Sequence, residues 1–277
     1  MIDRRRFAAA LLATTLVART ARAGGDAFAL DGSFEQGGLA RGRLPAGATE
    51  LRFNGQPIPV APDRRFLIAF DRDAAASAVL EAKGVDGRML REDLGIAPRS
   101  WNISRLDQLA KVPVPSAEYE ARRPPELARI VAARALQTNA EGWRQRFAWP
   151  ATGRISTLFG SQRIYAGEPG AYHSGIDIAL PTGTSVRAPA EGVVILAAEA
   201  PFTLEGNLLM LDHGMGLSSA FLHLSRIDVA EGTTVRQGAL LGAVGATGRA
   251  TGPHLHWGLM WRGARIDPLL VAGAMPS

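Results

Sequence analysis

The sequence contains no cysteine, and this absence excludes several kinds of protein. Disulfide bonds cannot stabilise the fold, and a lipid anchor on cysteine is excluded. Any metal ion must be bound by histidine and carboxylate groups. Histidine is scarce as well, because the 277 residues include only five, and all five lie between residues 173 and 256.

Long apolar runs and a strong charge are also missing. Beyond the N-terminal segment no run of 18 or more apolar residues occurs, so we expect a chain that does not span a membrane. The formal charge is +5, but the five arginines and one aspartate of residues 1–23 account for +4, which leaves +1. Charge therefore gives no case for nucleic-acid binding.

Residues 1–23 are typical of an export signal. A basic start precedes the apolar stretch 7–18, and Ala21-Arg22-Ala23 forms a small-x-small cleavage site. The start, Asp3-Arg4-Arg5-Arg6-Phe7, resembles the twin-arginine signal pattern, and an ordinary secretory signal is the alternative. We expect export to the periplasm or cell envelope.

Residues 24–111 favour a small β-sandwich, because short alternating runs are separated by turn residues. The clearest turn is Asn54-Gly55, a signal for a two-residue hairpin. Residues 65–70 form a further candidate strand. The charged run Phe70-Asp71-Arg72-Asp73 that follows is predicted to be a solvated turn.

A linker and a helix are predicted over residues 112–149. Four prolines mark residues 112–125 as a linker, and Pro125 with Glu126 suits the first turn of a helix that runs to about Gln137. Residues 150–277 then form short β-rich runs separated by glycine, typical of an antiparallel β domain. The fold class predicted is mainly β, with a connecting helix.

Two motifs carry most of the candidate chemistry. In the first, His173 and Asp177 are four residues apart, and in an extended chain this even spacing puts both on one face. Ile176 and Ile178 would then point into a core, while Gly175 argues against a helix. The second motif is His254-Leu255-His256, in which a strand puts both imidazoles on one face and Leu255 in the core.

A fifth group comes from His223, in the strand-like run 221–225. Zinc sites that perform chemistry use three protein ligands and leave one position for water. Four histidines and one aspartate therefore suffice for three ligands and two imidazoles that transfer protons or stabilise an oxyanion. These five groups are sufficient for peptide hydrolysis, and no serine or cysteine nucleophile is needed.

Residues 173–257 resemble the lysostaphin-type, or LytM-like, zinc metallopeptidases that cut peptidoglycan. The matching stretches are His-Ser-Gly-Ile-Asp-Ile-Ala at 173–179, Pro-Thr-Gly-Thr-Ser-Val at 181–186, Ala-Pro-Ala-Glu-Gly-Val-Val at 188–194, Leu-Asp-His-Gly at 211–214, Phe-Leu-His-Leu-Ser at 221–225 and Gly-Ala-Thr-Gly-Arg-Ala-Thr-Gly-Pro-His-Leu-His at 245–256. The resemblance covers roughly residues 155–270. It implies a C-terminal zinc endopeptidase domain that hydrolyses peptide cross-links of the bacterial cell wall.

The resemblance also implies roles for individual residues. His173, Asp177 and His256 would bind Zn²⁺, and His223 and His254 would be the catalytic pair. One of the pair would move the proton and the other would stabilise the oxyanion; the resemblance leaves the assignment open, and we favour His254 as the base.

Two residues stand apart from these roles. Asn207 lies at the position where members of this family often have an asparagine in the substrate cleft. The alternative is that Asn207 is simply a turn residue. His213, in a turn-like stretch, is predicted to be structural.

Alternative functions remain at this stage. A biotinyl or lipoyl carrier would need a lysine in the domain, but Lys83 and Lys111, the only lysines, lie outside it. A non-catalytic wall-binding regulator that activates another hydrolase is the stronger alternative. Residues 112–149 could also lie across the cleft and restrain activity, and the N-terminal domain could bind a cell-wall regulatory partner.

Overall fold

The computed structural model describes residues 28–108, 116–198 and 200–276. The predicted export signal at 1–23 lies outside these residues. Strands dominate the first region, with these bounds: β1 Ala29–Gly32, β2 Leu39–Arg43, β3 Thr49–Phe53, β4 Gln56–Pro57, β5 Arg65–Ala69, β6 Ser77–Lys83, β7 Met89–Gly95 and β8 Ile103–Leu106.

Strands β1 to β7 form the small sandwich predicted from the sequence. One sheet has the order β1-β2-β5 and the other the order β4-β3-β6-β7, and all neighbours are antiparallel. Phe66 and Ile68 from the first sheet and Leu80 and Leu94 from the second are fully buried. The hairpin at Asn54-Gly55 is confirmed, with positive φ angles of 48° and 75° at the two turn residues.

Helix α1 spans Ala117–Ala135 and begins earlier than predicted. The hydroxyl of Ser116 caps it by accepting a hydrogen bond from the Tyr119 N–H. Pro124 and Pro125 lie inside the helix, so the prediction of a linker as far as residue 125 was wrong. An interior proline costs about 3 kcal/mol, and packing of α1 against the following region offsets that cost.

The second region begins after a short 3₁₀ helix, Gly142–Arg144. Its elements are β9 Arg154–Thr157, β10 Gln162–Tyr165, β11 Glu168–Pro169, β12 Ile176–Ala179, β13 Ser185–Arg187, β14 Gly192–Ala197, β15 Asn207–Asp212, β16 Leu217–Leu224, β17 Arg226–Ile227, β18 Thr234–Val235, β19 Leu240–Ala243, β20 His254–Trp261, β21 Ala264–Ile266 and α2 Pro268–Ala272.

An antiparallel sheet organises this region, as predicted. Its order is β18-β14-β15-β16-β20-β12-β9, with β21 beside β20. One face packs against the core through fully buried side chains such as Phe221, Leu255 and Trp257. Strands β13, β19 and β17 form a second sheet, and β8 pairs in parallel with β10, which joins the end of the sandwich region to the second region.

The prediction of a solvated turn at residues 70–73 was wrong for Arg72. This residue is only 6% exposed, and its guanidinium lies over the rings of Trp101 and Tyr172, at 5.2 and 4.8 Å from their centroids. Arginine stacks well on aromatic faces and desolvates more easily than lysine, which explains how a charged turn residue becomes part of an interface. Across the described ranges, no helix has the length and apolar character needed to cross a membrane.

Candidate metal centre

Three side chains converge at the junction of β12 and β20. His173 Nε2 lies 2.9 Å from Asp177 Oδ1 and 3.0 Å from His256 Nδ1, and His256 Nδ1 lies 2.9 Å from Asp177 Oδ1. Within the described part of the chain, this is the group of histidine and carboxylate side chains whose spacing suits a metal ion.

The donor set and its spacing fit zinc. Zinc–nitrogen and zinc–oxygen bonds are about 2.0–2.2 Å long, so tetrahedral coordination places neighbouring donors about 3.3 Å apart. The observed edges of 2.9–3.0 Å need only a small expansion. Two imidazoles and one carboxylate are also ligands that zinc accepts when cysteine is absent.

The strand register explains how two of the three donors meet. Asp177 and His256 are directly opposite each other on β12 and β20, so their side chains share one face of the sheet. Ile176, Ile178 and Leu255 alternate to the other face and are fully buried, as the sequence pattern predicts.

His173 reaches the group from a loop and not from the strand, because β12 begins only at Ile176. Gly175 allows the loop to pass close to the site. A Cβ atom at residue 175 would lie 2.4 Å from the Trp257 carbonyl oxygen and 2.7 Å from His256 Nε2. The Leu158 carbonyl oxygen lies 3.2 Å from His173 Nδ1, and a proton there leaves the Nε2 lone pair facing the other donors.

His223 and His254 lie beside this group. Their rings are 4.7 Å apart at the centroids, and the ring of His223 is 6.4 Å from that of His256. Nδ1 of His223 donates to the Thr247 carbonyl at 2.8 Å, and Nδ1 of His254 donates to the Gly252 carbonyl at 2.8 Å. These bonds assign the proton to Nδ1 in both rings and leave each Nε2 as a proton acceptor.

Backbone strain at His223 brings its imidazole to the correct face. Leu222 is opposite His256 and shares its face, so strict alternation would turn residue 223 into the core. His223 instead has φ of +63°, in the left-handed region that few non-glycine residues adopt. The pairing of β15 with β16 is also irregular next to Asn207, and this bulge re-aims the histidine.

The charges of the group favour an ionised carboxylate. Burial opposes ionisation of Asp177, but its close contacts with the imidazoles of His173 and His256 outweigh burial and hold the pKa of Asp177 well below its usual range. Burial lowers the pKa of His256, and it lowers the pKa of His223 to about 4. Neutral imidazoles with an ionised carboxylate are the protonation states that bind a metal.

The two other residues singled out in the sequence are not part of the converging group, although the Asn207 N–H donates at 2.9 Å to the hydroxyl of Thr247, whose carbonyl holds His223. His213 is fully buried, donates from Nδ1 to the Glu191 carbonyl at 2.6 Å and accepts at Nε2 from the Ser219 hydroxyl at 2.6 Å. Asn207 donates its side-chain amide to the Leu224 carbonyl at 2.8 Å, so one of its two donors is already used within the fold.

Comparisons with known proteins find relatives over the region that carries these side chains. Residues 171–268 match the profile of peptidase family M23. A crystal structure from Pseudomonas aeruginosa, described as a family M23 peptidase, covers 88% of this chain and 96% of its own, with a TM-score of 0.66 and 30% identity. The chain belongs to peptidase family M23.

Curated relatives match the M23 region and not the whole chain. The peptidoglycan DD-endopeptidase ShyA of Vibrio cholerae is 37% identical over 126 residues, which are 45% of this chain and 29% of ShyA. The DD-carboxypeptidase/endopeptidase Mpg of Neisseria meningitidis is 41% identical over 124 residues, which are 45% of this chain and 28% of Mpg. The chain thus aligns with less than a third of either relative's length.

Sequence reasoning missed the groups that orient the M23 histidines. The carbonyls of Leu158, Thr247 and Gly252 hold three of the rings, but a backbone carbonyl leaves no mark on residue type. Arg72 was missed for a different reason, because its partners come from residues far along the chain.

Proposed function

We propose that this protein is a zinc-dependent endopeptidase that hydrolyses peptide cross-links of bacterial peptidoglycan. The observation that carries the proposal is the convergence of three donor atoms with two imidazoles that keep a free Nε2 beside them. Membership of family M23 supports peptide hydrolysis, and the names of ShyA and Mpg support a cell-wall substrate.

His173, Asp177 and His256 would hold the zinc ion. When bound, zinc acts as a Lewis acid that makes a water molecule a nucleophile at neutral pH and polarises the substrate carbonyl. The Leu158 carbonyl keeps His173 in the tautomer that presents Nε2.

We assign the general base to His254. Its Nδ1 proton is bound to the Gly252 carbonyl, so Nε2 can take a proton from the attacking water and deliver it to the leaving amine. His223 is a weak proton acceptor, because burial lowers its pKa to about 4. Hydrolysis then adds the water oxygen to the carbonyl carbon, breaks the C–N bond and passes the proton to nitrogen.

His223 would act on the oxyanion. Negative charge that develops beside its ring raises the pKa of the imidazole, so a proton taken up from solvent at Nε2 would neutralise that charge. The hydrogen bond to Thr247 keeps the ring oriented throughout the step.

We also propose that the protein acts outside the cytoplasm, in the periplasm or cell envelope. The support is the signal-like pattern of residues 1–23 together with the cell-wall enzymes among the relatives. Replacement of Arg4 and Arg5 by lysine should leave the precursor in the cytoplasm if export follows the twin-arginine route. Normal export of that variant would remove the twin-arginine assignment.

The function is tested by incubation of the zinc-loaded protein with purified sacculi and mass spectrometry of the released fragments. We expect cross-linked fragments to fall to monomers with the wild type, and not with His256→Ala or His254→Ala. His254→Ala should still bind zinc, since it removes the base and no proposed ligand.

The regulator alternative makes a different prediction in the same experiment. Wild-type protein that binds zinc and sacculi but leaves every cross-link intact would contradict the peptidase proposal. The masses of the fragments, where they form, identify the bond that is cut.

A further inference from the structure

Helix α1 lies on the face of the main sheet that carries the proposed metal ligands. Leu222 is opposite His256 and Ala220 is opposite Gly258, so all four share this face. Met210 is opposite Ala220 and extends the same face onto β15.

The apolar side of α1 packs on this face, two strands away from the metal ligands. Ile130 and Ala133 form a buried cluster with Leu208 and Met210, and Leu222 is partly buried against it. The helix therefore forms one wall of a groove whose floor is β16 and β20.

The N-terminal half of α1 is fixed to the loop that precedes β15. Arg123 donates to both carboxylate oxygens of Glu205 at 2.6 and 2.8 Å, and Glu126 accepts from the N–H and hydroxyl of Thr203 at 2.8 and 2.5 Å. This wall is therefore rigid beside the proposed active site.

Arg265 stands on the opposite side of the groove. It is opposite Met260, which alternates to the same face as His256. Its backbone N–H donates to Asp71 Oδ2 at 2.8 Å, and Asp71 Oδ1 accepts from the Tyr172 hydroxyl at 3.3 Å. Arg265 is therefore tied to the residue that precedes His173.

Arg134 follows Ile130 by one helical turn, so it lies on the side of α1 that faces the sheet and Arg265. Its Nε is buried and has no hydrogen-bond partner among the described residues. Burial and, to a smaller extent, the positive charge of Arg265 lower the pKa of Arg134 to about 10. Burial also lowers the pKa of Arg265.

The nearby carboxylates are already used by other groups. Glu205 is bound by Arg123, and Asp71 is bound by Tyr172 and by the backbone of Arg265. Among the residues that the structure describes, neither the Arg134 nor the Arg265 side chain makes a hydrogen bond or an ion pair. Two half-buried guanidiniums of like charge are unfavourable alone and favourable with an anion between them.

We propose that Arg134 and Arg265 bind a carboxylate of the peptide substrate. The identity of the substrate rests on the proposed function, whereas the anion site rests on the two arginines. Peptides that are cross-linked through side-chain amines keep free carboxylates, and guanidinium forks match carboxylates with paired hydrogen bonds.

The position of the site defines where that carboxylate lies. Met260 is four residues along β20 from His256, a distance of roughly 13 Å in a strand. The recognised carboxylate therefore lies within about four extended residues of the bond that is cut. The site would select negatively charged peptides at a position remote from the bond that is hydrolysed.

The test is calorimetric binding of a stem tetrapeptide in two forms, with free carboxylates and with every carboxylate converted to carboxamide. For zinc-loaded wild-type protein we expect the acid to bind about tenfold or more tightly than the carboxamide. Arg134→Gln and Arg265→Gln should each reduce this preference to near unity. The matched control is Arg129→Gln, on the exposed side of the same helix, which should keep the preference.

Two further measurements keep the outcome decisive. Thermal unfolding should show that Arg134→Gln and Arg265→Gln stay folded, because each removes a repulsion between like charges. The binding series is repeated after zinc removal, since a carboxylate bound to the metal would give a preference that disappears with the metal. A preference that survives both arginine changes, or that is absent from the wild type, overturns the proposal.

The sacculus assay separates this inference from the proposed function. If the protein hydrolyses sacculi but shows no arginine-dependent preference for the carboxylate peptide, the carboxylate site is wrong and the proposed peptidase function stands. If the protein shows this preference but hydrolyses nothing, the carboxylate site stands and the proposed peptidase function is wrong.

Discussion

The guanidinium of Arg72 donates hydrogen bonds from Nε and Nη2 to the carbonyl oxygen of Gly160, at 3.2 and 3.1 Å. Gly160 in turn donates its N–H to the His173 carbonyl at 2.8 Å, and His173 donates its own N–H to the Ser161 carbonyl at 2.8 Å. A side chain of the N-terminal sandwich thus holds the loop on which a proposed zinc ligand sits. This contact gives the sandwich a structural role in the site.

We predict that Arg72→Met lowers zinc affinity about tenfold or more, which is the size of effect that outer contacts have on metal sites. The loss of the hydrogen bonds to Gly160 and Gln162, and of the stacking on Tyr172, frees the loop that carries His173. Competition with a chelator measures the affinity, and Arg65→Met, an exposed arginine of the same region, is the control. Equal zinc affinity in Arg72→Met and wild type would show that the loop holds its shape without the sandwich.

Sequence reasoning failed at Arg72 because local pattern carries no record of distant partners. The run Phe70-Asp71-Arg72-Asp73 has the composition of an exposed turn, and Asp73 is indeed exposed. The partners of Arg72 lie 88 and 90 residues further along the chain. The start of α1 was misjudged for a similar reason, because contacts with residues 201–205 stabilise a helix that contains two prolines.

The alternation of side chains along a strand predicted their orientation correctly where the strands are regular. It placed Leu255 in the core and put His254 and His256 on one face, and the structure confirms both. It would have failed for His223, since the residue joins the group only through its positive φ. Residue type alone does not reveal a bulge, so in that case the resemblance to a known family supplied what the periodicity could not.

We predict that His223→Asn loses hydrolysis about 10²-fold or more while it keeps zinc and stability. Asparagine tolerates the left-handed region, so the substitution removes the imidazole without a new backbone strain. Sacculus digestion and zinc analysis of the same sample check both parts. Full activity in His223→Asn would remove this histidine from the mechanism.

We predict that Gly175→Ala destabilises the protein by about 1–3 kcal/mol and weakens zinc binding. The added methyl group would press on the Trp257 carbonyl and on the ring of His256. Gly95→Ala is the matched control, because a Cβ there meets nothing within 4 Å. Denaturant unfolding and zinc titration measure the two effects, and a variant indistinguishable from Gly95→Ala would contradict the close approach.

The buried imidazole of His213 should make the free energy of unfolding depend on pH. Burial lowers its pKa from 6.5 to about 4 in the folded protein. Above pH 6.5 the ring is neutral in both states, and as the pH falls from there toward 4 the unfolded chain takes up a proton that the folded chain does not. The free energy of unfolding therefore decreases over this window, by about 3 kcal/mol for this group.

His213→Gln isolates that contribution, since glutamine does not titrate. Urea unfolding at about pH 7 and about pH 4.5 should show a smaller loss for the variant than for the wild type. An equal loss in both proteins would mean that other groups cause the acid sensitivity.

Zinc content measured by mass spectrometry tests the central claim most directly. We predict about one zinc per chain in the wild type and in His213→Gln, and almost none in His256→Ala and Asp177→Asn. Wild-type protein that takes up no zinc, or His256→Ala protein that retains it in full, would contradict the assignment of His173, Asp177 and His256 as the metal ligands.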